Sequence, residues 1–143
     1  DNGGWNMKII IANPGKCSRI AETEDIKKTL ARIIGVGIDK PPFLKDEEVC
    51  VVMGREHQKF MLAPNRLIDT VEDSFPVFGP CVFCRKQDGK YTGLTDEQIQ
   101  KIEKEYHLPE RCFINPELKI MIWEPYDPEK QKNRTGKSRG GER

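Results

Sequence analysis

The stretch FPVFGPCVFCRKQDG, residues 75–89, decides how this chain is read. Cys81 and Cys84 stand in C-x-x-C spacing, which serves zinc knuckles and redox pairs as well as ordinary strands. A knuckle folds both thiolates toward one point, whereas on an extended strand residues i and i+3 point to opposite faces. Val77, Phe78, Val82 and Phe83 flank the pair, and no helix begins there to lower a thiol pKa. The stretch therefore reads as strand, interrupted at Gly79-Pro80, turning at Asp88-Gly89 and returning through Tyr91. Its cysteines read as small apolar groups without metal. The alternative is a zinc site built from Cys81, Cys84, His107 and Cys112, with Cys50 in reserve.

Outward from this strand the pattern stays mixed. MKIIIA from Met7 reads as a buried strand, NPGK as a turn and CSRIAE as a second strand. Thr23 is placed to cap a helix whose apolar stripe is Ile26, Leu30, Ile33 and Ile34, with Gly35 closing it. In EVCVVMGREHQKFMLAPNRLI, Val49, Val51 and Met53 alternate, as do Phe60 and Leu62, so GREHQ reads as a hairpin connection and the second arm ends at Pro64. Thr95 and Gln98 form a capping box, and Leu94 with Ile99 a hydrophobic staple, for a helix that turns Ile99, Ile102 and Tyr106 inward. LKIMIWE supplies a last strand. Hairpins outnumber helices. The expected fold is a single α+β domain over residues 7–124, with a mixed or antiparallel sheet covered by two helices. Residues 1–6 read as an added leader.

Of the 143 residues, 36% are hydrophobic and 33% charged, and no apolar run approaches the roughly 20 residues that span a bilayer. Five cysteines without framework spacing point to a reduced, cytoplasmic compartment. The net charge of +1 conceals an uneven distribution. Residues 125–143 form a basic, flexible tail that carries Lys130, Lys132, Arg134, Lys137 and Arg139 and no aliphatic anchor after Tyr126. Such a tail solubilises the chain or makes weak, salt-sensitive contact with nucleic acid.

No catalytic constellation assembles from sequence. The two histidines are His57, in the hairpin connection, and His107, four residues after Glu103 on one helix face. IIIANPGKCS and RTGKS contain Gly-Lys but lack the earlier glycine of a phosphate loop. No cofactor is expected. Asn65 and Arg66 in LAPNRLI are the remaining binding candidates, because Asn tolerates tight turns and Arg presents a fork of five donors. They read either as a structural corner or as an exposed contact.

MKIIIANPGK, LARIIGVGI, EVCVVMGREHQKFMLAPNRLI, VFGPCVFCR and GLTDEQIQKIEKEY, in this order, resemble the small proteins of the domain of unknown function 3846 family over about residues 7–107. The chain departs from that pattern in LAPNRLI and in the added LPERCFINPELKIMIWEPY and tail. The resemblance implies a protein of phages, plasmids or conjugative elements, with no known catalysis. The expectation is a non-enzymatic accessory protein of a bacterial host cell. It would bind a host protein such as a defence nuclease, as anti-CRISPR or anti-restriction inhibitors do. The alternatives are a nucleic-acid-binding regulator using the tail, or a protein that sequesters a nucleotide signal at Asn65 and Arg66.

Overall fold

Nine strands and two helices follow one another along the chain, in a computed structural model that describes residues 6–35, 41–45, 48–55, 62–71 and 73–130. They are β1 (Met7–Ala12), β2 (Arg19–Thr23), α1 (Ile26–Ile33), β3 (Val49–Met53), β4 (Pro64–Asp69), β5 (Ser74–Phe78), β6 (Cys81–Gln87), β7 (Lys90–Thr92), α2 (Asp96–Tyr106), β8 (Glu110–Asn115) and β9 (Ile120–Pro125). β6 is the centre. It pairs with β1 on one side and β3 on the other, β2 extends the sheet beyond β1, and β7 folds back on the end of β6. Every pairing is antiparallel.

The sheet is apolar on both faces because each face has its own cover. Ile9, Ile11, Cys50, Val52, Val82 and Cys84 lie under Ile26 and Leu30 of α1. Ile10, Ala12, Val51, Met53, Cys81 and Phe83 face Ile99, Ile102 and Tyr106 of α2. The two helices therefore cover opposite faces, and period-2 alternation assigns each strand residue to one of them. Ile68 of β4 and Val77 of β5 join the α2 side. Phe83 is fully buried and stacks on Tyr106 with ring centroids 5.4 Å apart.

Both helix ends are set locally. Asp25, not Thr23, is the N-cap of α1, with its carboxylate accepting from the Lys28 amide at 3.2 Å. Thr23 instead accepts from the Asp25 amide and meets the Thr29 hydroxyl at 2.7 Å. Gly35 follows the helix at φ +80, the left-handed conformation glycine adopts without strain. The expected capping box of Thr95 and Gln98 is formed in full.

Further features differ from the sequence expectation. Of the second arm of the expected β3 hairpin only residues 62–64 are described, and these do not pair with β3. β4 begins at Pro64 and pairs with β5 in a separate two-stranded sheet, while the outer edge of β3 is met by residues 42–44. GREHQ and Phe60 lie largely outside the described residues. β8 and β9 form a third, two-stranded sheet against β4, where one strand was expected. The folded body also runs past residue 124. The Tyr126 amide donates to Pro109 O at 3.0 Å, and Arg111 lies over the Tyr126 ring at 4.3 Å.

Gly93 sits where the chain leaves β7 and crosses the start of β1. A Cβ there would come within 2.9 Å of both the Lys8 amide and the Met7 Cβ. Leu94 N then bonds to Lys8 O at 2.8 Å, so the crossing cannot open without losing that bond. Gly93→Ala is expected to lower unfolding free energy by about 1–3 kcal/mol in a urea titration. A change below about 0.5 kcal/mol would show that the crossing gives way freely.

Candidate functional site

Asn65 and Arg66 do not form an exposed contact. The β4–β5 register shifts between Pro64 and Arg66, and this irregularity turns two consecutive side chains inward where a regular strand would expose one. Asn65 is fully buried and its amide donates to Ala12 O and Gly79 O, each at 2.8 Å. Arg66 is 1% exposed. Its five hydrogen bonds all run to carbonyl oxygens: Tyr106 O at 2.6 Å, Lys16 O and His107 O at 2.8 Å, Asn13 O at 3.4 Å and the Asn65 side chain. Every donor of the fork is used. Tyr106 O and His107 O belong to the last turn of α2, where carbonyls lack helical partners and the helix dipole favours a cation. Burial pulls the Arg66 pKa below its usual value, with Cys81 and then Cys17 opposing that shift. The pair thus reads as a structural corner, and its donors are not free for an anion or a partner.

Ser18, Glu103 and His107 meet beside the same corner. The Ser18 hydroxyl donates to Glu103 Oε2 at 2.7 Å and lies 3.0 Å from His107 Nδ1, while Nδ1 is 3.5 Å from Glu103 Oε1. In a hydrolase triad the two ring nitrogens divide the nucleophile and the carboxylate between them. Here one nitrogen faces both, and Ser18 is buried. With Ser18 N bonded to His107 O at 2.8 Å, the cluster fastens the β1–β2 loop to the end of α2. His57 lies outside the described residues.

The alternative zinc ligands are not brought together. Cys81 faces α2 and Cys84 faces α1, so the C-x-x-C pair is split by the thickness of the sheet. Cys112 lies on β8 beside Trp123. Among the described residues, no three His, Cys, Asp or Glu side chains converge. Cys84 does meet Cys50, its partner across β3 and β6. That hydrogen bond, and then burial, hold the Cys84 proton well above the usual thiol value. Both are free thiols, and since Lys86 N donates to Glu48 O, the alternate pair Cys50–Cys84 is of the hydrogen-bonded type.

A cleft of about 400 Å³ separates α2 from β4, with Leu44, Val49 and Ile102 lining it and Lys101, Asp69 and Glu105 also contributing. A second of about 390 Å³ adjoins it at Asp69, Glu105 and Tyr106. Neither holds a nucleophile paired with a base.

The outstanding surface is the β8–β9 hairpin. Residues opposite one another share a face. One face carries Cys112 and Trp123, then Ile114 and Met121; the other carries Phe113 and Ile122, then Asn115 and Ile120. The first face is anchored to the body by Trp123, edge-on to Phe78 at 5.6 Å, and by the Glu110 carboxylate on the Leu67 amide at 2.6 Å. The remainder is only partly covered. Phe113 is 45% exposed, Ile114 64%, Leu118 66% and Ile120 50%. The turn is held by Asn115, whose side-chain oxygen accepts from the Glu117 and Leu118 amides. Sequence reasoning found β9 and missed β8, although Asn115-Pro116 between CFI and IMI is a hairpin signal. Of the expected tail contacts, Lys130 is exposed at the end of a helical turn, residues 128–130, and Lys132, Arg134, Lys137 and Arg139 lie outside the described residues.

Residues 7–107 match the family described as Domain of unknown function (DUF3846). The chain belongs to that family. No curated protein and no solved structure matches it. The match ends at His107, the residue whose carbonyl closes on Arg66, so the hairpin lies beyond the matched segment of this DUF3846 protein.

Two outcomes test the corner. Arg66→Lys keeps a charge but cannot span the carbonyls, so it and Arg66→Met are both expected to lose about 2–4 kcal/mol by chemical denaturation. A loss under about 1 kcal/mol for Arg66→Lys would show that one contact suffices. The second concerns alkaline pH. Burial pushes Cys81 from 9.0 up to about 12 and Tyr106 from 10.0 up to about 12. The unfolded chain releases these protons first, so stability is complete below pH 9 and falls as pH rises from 9 to 12. Cys81→Ala should flatten the early part of that fall in urea midpoints measured against pH. An unchanged profile would remove Cys81 as a cause.

Proposed function

We propose that this protein acts by binding a protein partner on the apolar hairpin of β8 and β9, and not by catalysis. The observation that carries the reading is a two-stranded ribbon apolar on both faces and only partly covered on each. A ribbon of this kind is marginal alone in water and gains stability from whatever covers it. Phe113 and Ile120 on one face, Ile114 on the other and Leu118 at the turn leave large apolar side chains open on both sides of the ribbon, and exposed apolar surface of this kind marks contact sites. Arg111 and Glu124, opposite one another, give the patch a polar rim. The Asn115 turn fixes the tip, so little ordering entropy opposes docking.

In its sharper form the partner is a host protein, a defence nuclease among them, and the chain is a counter-defence accessory of a mobile element. The family resemblance supports this form and the hairpin supplies the surface. Among the described residues no helix is long and apolar enough to cross a membrane.

Capture of partners from host lysate, with identification by mass spectrometry, tests the reading. Phe113→Glu with Ile114→Glu is expected to weaken capture at least tenfold, of the order seen when an interface anchor is lost, with thermal unfolding unchanged. Inhibition of a restriction or CRISPR nuclease by the native chain, lost in this variant, would support the sharper form. Capture that survives the variant, but fails when residues 131–143 are removed, would overturn the hairpin reading in favour of the tail.

A further inference from the structure

The hairpin has an edge as well as two faces, and the edge has a different geometry. Tyr126 N donates to Pro109 O, so that pair is of the hydrogen-bonded type, and along an antiparallel ladder the types alternate. Arg111–Glu124, Phe113–Ile122 and Asn115–Ile120 are then bonded pairs, and Cys112–Trp123 and Ile114–Met121 are not. Pro125, opposite Glu110, fits this assignment because it has no N–H to offer. The backbone groups of Met121 and Trp123 consequently point away from β8. Among the described residues nothing pairs with them.

Three other edges are guarded. Residues 42–44 cover β3, with Leu44 N on Val49 O and Val51 N on Pro42 O. β2 carries Arg19 and Glu22. β5 carries Pro76, which blocks pairing at its position. From Ile120 to Trp123, β9 has no charge, no proline, no glycine and no bulge. An apolar edge of this kind is a template for another strand.

We propose that β9 pairs antiparallel with β9 of a second copy, about a two-fold axis through Ile122. This rests on the hairpin being an interaction element, but it uses the edge and leaves the faces free for a different protein. The register is dictated by the chain. Centring on Ile122 sets Met121 opposite Trp123 of the second copy, so that both outward amides of both chains find carbonyls. One step further toward the C-terminus would place Met121 opposite Pro125, which cannot donate. The paired hairpins make a four-stranded sheet, which escapes the marginal stability of two strands. Phe113, Ile120 and Ile122 of both copies then form one continuous apolar face.

Sedimentation equilibrium of the full chain across micromolar concentrations tests the pairing. The native chain is expected to dimerise. Met121→Pro removes an outward N–H while sparing the ladder to β8, and should raise the dimer dissociation constant at least tenfold with unchanged circular dichroism. Ile122→Cys places two thiols at a non-bonded pair, about 4.5 Å between Cα atoms. Under mild oxidation it should give a reducible dimer whose linked peptides join residue 122 to residue 122. A native chain monomeric at every concentration would overturn the proposal, as would a dimer that Met121→Pro leaves intact. Phe113→Glu separates the two readings. It should still dimerise while losing the partner, and partner capture by a strictly monomeric native chain would sink the pairing alone.

Discussion

One buried guanidinium holds the pieces of this fold in their relative places. Arg66 meets no carboxylate at bonding distance among its hydrogen-bond partners; it is neutralised by the carbonyls of two chain segments and of Asn65. Those segments are the loop after β1 and the end of α2, and Asn65 beside it adds the end of β1 and the turn before β6. An unpaired buried cation is costly, so the carbonyls must all be in place for the arrangement to be stable. The requirement runs both ways. The last turn of α2 has carbonyls with no helical partner, and the fork supplies their donors.

The local signals that sequence carries well were legible. β6 was readable because Val82 and Phe83 sit between cysteines in a strand pattern, and the split of Cys81 from Cys84 follows from the pleat alone. The Thr95 box was readable because both of its hydrogen bonds form within four residues. The family matched over residues 7–107 is the one that the order of elements suggested. The class is α+β, and between a mixed and an antiparallel sheet the pairings are antiparallel.

The illegible part depended on distance in sequence. Nothing in LAPNRLI tells that Arg66 will meet carbonyls at residues 13, 16, 106 and 107, so an exposed contact stayed open beside the structural corner. The arm after β3 alternated like a hairpin partner, yet residues 42–44 met the β3 edge and β4 paired with β5. Ser18 has no role legible in its local sequence, because that role exists only where Glu103 and His107 are brought to it across 85 and 89 positions. The hairpin's apolar residues looked like core in a one-dimensional pattern, since period 2 does not reveal that both faces remain partly open.

The place where the family match ends has a consequence for how such proteins diversify. The fork closes on His107, the last matched residue, so the matched architecture is complete before β8 begins. The hairpin is attached to it along β4, which β8 packs against, by the Glu110 carboxylate on the Leu67 amide, and by the Trp123 ring on Phe78. None of these contacts involves the Arg66 fork. Replacing the hairpin would change the apolar surface that the chain presents while leaving the carbonyl cage around the guanidinium, and the sheet it secures, as they are.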